Sequence, residues 1–237
     1  VSSLYQREVE AGQCDIERSR RDWAEAARFE SGFRIVLEGP SGGLEGYALF
    51  EPRSEGGREG VRCVEHACTD SEALVRLLAY FGTLRDQYSF LKITLPADLP
   101  LNLLLRETQL AHRPVNHPVA TASIQTRTQV RVLDHCRLLE SMRLPAKPPG
   151  EATVEIHEAE GHKSRLHLCL EDGHAEGSPS ERSADFVCSD RTWASVVCGE
   201  LSARQALRLG LAEGEPRTAE VLSAFADGPL PFLRESF

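Results

Sequence analysis

Nowhere among the 237 residues do 18 apolar ones run together, so no segment is suited to cross a membrane as a helix, which takes about 20. Phosphate-cradling loops are missing as well. Neither G-x-x-x-x-G-K-S/T nor G-x-G-x-x-G occurs, which removes the usual glycine-rich turns that present free amides to a pyrophosphate. The string G-x-S-x-G occurs once, at Gly39-Pro40-Ser41-Gly42-Gly43, but in a Gly-rich turn between two expected strands and not at a strand-to-helix elbow, and a scattered set of Ser, His and Asp carries no hydrolase signal without that elbow. Basic residues are scarce: 27 Lys and Arg face 36 Asp and Glu, for a net charge of −9. Such a surface repels nucleic acid and anionic lipid, so neither is expected as a partner.

Seven cysteines are present, Cys14, Cys63, Cys68, Cys136, Cys169, Cys188 and Cys198, an odd count without a C-x-x-C pair. Most lie in apolar segments and read as buried thiols of a reducing compartment, the cytoplasm. His157, His162 and His167 recur at intervals of five. Strand and turn geometry would scatter those rings and no thiolate pair supports them, so no metal site is expected. No signal-peptide pattern opens the chain, and it begins at Val1, which suggests a piece of something longer.

Length and composition point to two α+β domains, 1–126 and 127–237. In the first, residues 15–30 read as an amphipathic helix around Trp23, followed by strands at 33–38, 46–51 and 61–67 with Gly-rich turns between them. Thr69-Asp70-Ser71-Glu72 has the form of a capping box and opens a helix to about Arg85, with a strand at 90–95 and a short helix at 99–107 beyond it. Residues 111–125 read as a linker. In the second half, strands are expected at 129–133, 152–157, 164–171 and 184–188, an exposed loop at 172–182, and helices at 134–142, 189–201, 202–209 and 217–226. No internal repeat or low-complexity tract appears.

The strand-to-helix junction at Cys68 to Glu72 places the carboxylates of Asp70 and Glu72 where a pyrophosphate would have to lie. They suit the helix dipole themselves and repel an anionic ligand. Cys188-Ser189-Asp190 reads as a strand end followed by a helix cap, and Asp134-His135 as a helix start. The chain end is more informative. Pro231-Phe232-Leu233-Arg234-Glu235-Ser236-Phe237 is apolar and bears a free carboxylate beside Glu235. Burying its aromatics would gain about 1.5–3 kcal/mol each, enough to order a tail that would otherwise fray. That carboxylate, on Phe237, is the leading candidate for chemistry; alternatively, Phe232 and Phe237 plug the last domain and leave it in water.

A family likeness runs through the chain in order. Gly46-Tyr47-Ala48-Leu49-Phe50, the helix at 69–84 followed by Arg85-Asp86-Gln87, and Pro96-Ala97-Asp98 resemble the central domain of the Eis-like GNAT acetyltransferases. Arg131-Val132-Leu133-Asp134, Ala184-Asp185, Cys188-Ser189-Asp190, the Trp193 helix, Gly199-Glu200-Leu201-Ser202-Ala203 and the Pro231-Phe232 tail are similar to that family's sterol-carrier-protein-like C-terminal domain. The resemblance implies a degenerate GNAT-fold domain without a coenzyme site, followed by the carrier-like domain. An N-terminal domain that binds acetyl-CoA would be missing from this chain. The absent R-x-x-G-x-G/A turn agrees with that.

By the same resemblance, the carboxylate of Phe237 would enter the active site of that N-terminal domain as the base for an acceptor amine. Near a pKa of ~3.3–3.7 it is a weak base, so burial or the neighbouring Glu235 would have to raise it. An acidic lip including Glu235 would suit polycationic amines such as aminoglycosides, and a homo-oligomeric assembly is implied too. A different reading makes the second half a free-standing lipid or sterol carrier, with a cavity near Trp193, Leu207 and Val221.

Overall fold

The computed structural model describes residues 1–12, 14–104, 122–123, 129–145 and 148–233. The chain forms two compact units, Val1–Ile124 together with Phe232–Phe237, and Gln125–Pro231. Phe232 and Leu233, the described start of the tail, thus group with the first unit, whereas the sequence reading placed them with the second. Most of the expected linker, and Arg127, lie outside the described residues.

The first unit begins with α1 (Ser2–Ala11) and α2 (Arg20–Ala26). The long helix expected over 15–30 is cut to seven residues, because Ser19 is extended and closes a capping box with Asp22. Ahead of it, the Arg18 guanidinium grips both oxygens of Glu65 at 3.1 and 2.5 Å, which holds the preceding segment out of a helix. The meander is as expected: β1 (Phe33–Glu38), β2 (Leu44–Glu55) and β3 (Arg58–Cys68) pair antiparallel. Between β2 and β3, Gly56 and Gly57 both have positive φ, +58° and +74°, the backbone of a two-residue hairpin turn.

Next come α3 (Ser71–Thr83), the two-residue β4 (Leu91–Lys92) parallel to β3, and α4 (Leu101–Leu104). The cap of α3 is one residue later than the capping box predicts. Asp70 accepts from the Ala73 amide at 2.8 Å, while the Thr69 hydroxyl donates to Asp70. Leu74, Leu77 and Phe81 of α3 pack against Ala48, Phe50 and Val61 of the sheet.

The second unit starts with α5 (His135–Ser141), capped by Asp134. No strand forms in the described part of 129–133. Its five-stranded sheet runs β7-β6-β5-β8-β9, built from β5 (Gly150–His157), β6 (Lys163–Glu171), β7 (His174–Pro179), β8 (Phe186–Ser189) and β9 (Ala212–Gly214). Strand β7 replaces the loop expected at 172–182. It turns back at Asp172-Gly173, φ +49° and +78°, and pairs with β6 from Glu171↔His174 onward.

Helices α6 (Asp190–Val197), α7 (Ala203–Arg208) and α8 (Pro216–Leu222) complete the unit. Alternation along the strands gives the sheet two unlike faces. Ala152, Val154, Ile156, Leu166, Leu168 and Leu170 point into a core with Trp193, Leu222 and Phe225. Each fully buried aromatic or leucine there contributes about 1.5–3 kcal/mol. The intervening residues Glu151, Thr153, Glu155, Arg165, His167 and Cys169 form the opposite, polar face. Among the described residues no helix is long and apolar enough to cross a membrane.

Candidate functional site

Phe237 and Glu235, the residues singled out at the chain end, lie outside the described residues. The tail is described as far as Leu233, and the half-buried Phe232 sets its ring 6.5 Å from the imidazole of His66 on β3. His66 is itself buried, and its Nε2 donates to the Thr94 carbonyl at 2.9 Å. Burial holds its pKa below the ordinary histidine value, so the ring is neutral near pH 7.

Beside it on β3, Glu65 accepts from Arg18 and, at 2.5 Å, from the Tyr47 hydroxyl. Burial first, and the Glu65 charge second, push the Tyr47 phenol well above its usual pKa. The Arg18 guanidinium lies over the rings of Tyr5 and Trp23, at 4.5 and 4.9 Å. Sequence reasoning missed this group because its members are 47 residues apart.

At the β3–α3 junction Asp70 already occupies the Ala73 amide, and Glu72 stands in the first turn. These residues do not fit a pyrophosphate, which would meet two carboxylates and lose a donor. Ser189 caps α6 by accepting from Thr192 at 3.1 Å, and Asp190 accepts from the Ala159 and Arg191 amides. Burial pushes the Cys188 thiol up to about 12, which disfavours its thiolate near neutral pH.

The polar face of the second sheet is organised around Glu155. Arg165 donates twice to one of its oxygens, and Lys163 and His157 reach the other at 3.0 and 2.8 Å. These hydrogen bonds, Arg165 foremost, hold the Glu155 carboxyl down to about 2. A groove of about 590 Å³ adjoins it, lined among others by Asp134, His135, Glu158 and Lys163. In it His135 Nε2 is 3.6 Å from Glu158, while its buried Nδ1 has no partner among the described residues. Of the three evenly spaced histidines, His157 serves Glu155, whereas His167 joins Glu151 and Cys169 farther along the same face. Cys169 is exposed, against the general expectation of buried thiols, because its register turns it away from the core.

Residues 14–132 match the family profile described as Acetyltransferase (GNAT) domain. Solved structures share the fold over the whole chain. A GCN5-related N-acetyltransferase from Anabaena variabilis superposes with a TM-score of 0.75 at 16% identity, covering 100% of this chain and 59% of that one. One from Kribbella flavida gives 0.70 at 19%, covering 99% and 56%. Eis1 from Mycobacterium abscessus gives 0.69 at 17%, covering 100% and 59%. The chain therefore spans a little over half the length of these structures. Among curated proteins, none matches the sequence.

Proposed function

The chain belongs to the acetyltransferase (GNAT) domain family, and from that premise we propose that it is the two-domain portion of an Eis-like N-acetyltransferase that works beside a separate acetyl-CoA-binding domain. In this reading it supplies a substrate wall and the terminal carboxylate of Phe237, which takes a proton from the acceptor amine, with Glu235 beside it. The observation that carries the reading is the grouping of Phe232 and Leu233 with the GNAT-like unit, with the Phe232 ring near His66. The carboxylate-filled β3–α3 junction supports a coenzyme site elsewhere. Polycationic amines remain the proposed substrate class, and homo-oligomers the proposed assembly.

The second unit is proposed as a carrier-like scaffold without a lipid cavity. Trp193, Val196, Leu222 and Phe225 bury one another almost completely. Val221, one of the residues suggested as cavity lining, has its methyl groups against Gly150, 2.7 Å from where a Cβ would stand.

The test compares acetyl transfer to a polyamine by this chain alone, by the chain with its acetyltransferase domain, and by the latter carrying one added glycine after Phe237. The chain alone should be inactive. The glycine extension should lower kcat about 10²–10⁴-fold, the usual contribution of general base catalysis. Tight acetyl-CoA binding by the 237 residues alone, or full activity of the extended form, would overturn the reading.

A further inference from the structure

On the outward face of the second sheet, β5 and β6 bring three different metal-binding groups together. Glu151 is paired directly with Cys169, and His167 lies two residues before Cys169 on the same face. The ligand atoms of all three lie within 4.8 Å of one another. We propose that Glu151, His167 and Cys169 form a tetrahedral Zn²⁺ site with water as the fourth ligand.

The spacings favour this geometry. A tetrahedral zinc ion bound at ordinary Zn–N, Zn–O and Zn–S lengths separates its N and O ligands by roughly 3.4 Å and its N and S ligands by roughly 3.6 Å. Here His167 Nε2 is 3.3 Å from Glu151 Oε2 and 3.8 Å from Cys169 Sγ. Both distances run from the same nitrogen, as one metal-binding Nε2 requires. The other ring nitrogen has its own partner: Nδ1 is 3.4 Å from the hydroxyl oxygen of Thr153, which is buried. An Nδ1–H bonded there leaves the Nε2 lone pair for the metal, the usual supporting contact of a zinc-bound histidine.

Chemistry selects the ion. A thiolate and an imidazole suit zinc and disfavour magnesium or calcium, which require oxygen ligands. Cys169 binds as the thiolate and releases its proton, so together with Glu151 it balances the charge of a dication. Arg182 provides balance for Glu151 without metal, at 3.9 Å. Its Nη1 is 3.0 and 3.3 Å from the two ring nitrogens of His167. At those hydrogen-bond distances the guanidinium stands where a metal would approach Nε2, so it has to move when the ion binds. Arg182 is exposed and can swing aside.

The experiment titrates the purified chain with Zn²⁺ against a chromophoric chelator and records the absorption spectrum with Co²⁺ in its place. One tight site is expected, with a thiolate-to-cobalt charge-transfer band. His167→Ala and Cys169→Ser should each weaken binding at least 100-fold, and Thr153→Val about 10–100-fold, as removal of a supporting contact does. Cys136→Ser should change nothing. Because Glu151 and Cys169 are exposed, Glu151→Gln provides a variant that keeps the fold, checked by circular dichroism. Equal Zn²⁺ affinity in wild type and Cys169→Ser, or a cobalt spectrum without the thiolate band, would overturn the site. Neither result bears on acetyl transfer, so the proposal stands or falls separately from that activity.

Discussion

Each unit carries a carboxylate gripped by an arginine, and the settings of the two pairs differ. In the first unit, the Glu65 and Arg18 side chains are 8% and 7% exposed. Tyr47 completes the bonding of Glu65, and two aromatic rings cover Arg18. In the second, Glu155 is similarly covered, but Arg165 is 34% exposed and Lys163 and His157 are more so. Taking two charges out of water is costly, and a buried pair recovers that cost only when its hydrogen bonds are complete. The first pair therefore works as a lock between the N-terminal segment and β3. The second sets the charge of an open face while its cations stay hydrated.

Truncation of the buried pair should give the largest effect. Glu65→Ala removes the buried carboxylate that Arg18 grips through two hydrogen bonds and is expected to cost about 3–5 kcal/mol in urea unfolding. The double replacement Arg18→Met with Glu65→Leu should recover most of that loss; a single-mutant cost near that of a surface pair would erase the contrast. Gly177→Val is next. A Cβ at Gly177 would stand 2.6 Å from Leu139 of α5, so the larger residue should cost about 1–3 kcal/mol by forcing helix and sheet apart. Asp70→Ala, which removes the α3 cap, should cost about 1 kcal/mol by the same measurement.

The open pair shows itself in acid. The folded-state pKa of Glu155 is depressed from 4.5 to about 2, so its contribution is complete above pH 4.5 and is lost as the pH falls from there to about 2. Glu155→Gln should remove that part of the acid-unfolding slope, followed by circular dichroism, and an unchanged slope would mean that the network is not formed in solution. The smallest effect belongs to Arg21→Ala. Its partner Glu25 is one turn away and both are exposed, so the change should stay within about 0.5 kcal/mol.

Elements with local signals were legible. The three strands of the first meander follow from alternation and glycine turns, and α7 from Ser202-Ala203-Arg204-Gln205, whose capping box forms with Gln205. Strand β7 was overlooked although Asp172-Gly173 is a strong hairpin signal. Its residues His174-Ala175-Glu176-Gly177-Ser178-Pro179 contain a single large-scale cue to burial, Ala175, and only pairing with β6 makes them a strand. Helix α2 was overextended because the contact of Arg18 with Glu65 has no trace in local periodicity. At the candidate site, histidines at intervals of five suggested nothing coherent. The group of Glu151, His167 and Cys169 depends on the register that sets residue 151 against residue 169.

Sequence alone determined the acidic balance, the missing phosphate loops, the meander and the apolar character of the chain end, since each rests on residue identity or short-range spacing. Only tertiary structure decided that Phe232 and Leu233 group with the first unit and which polar side chains share one face of the second sheet. Those outcomes turn on strand register and long-range packing, where a shift of one residue would send every side chain to the opposite face.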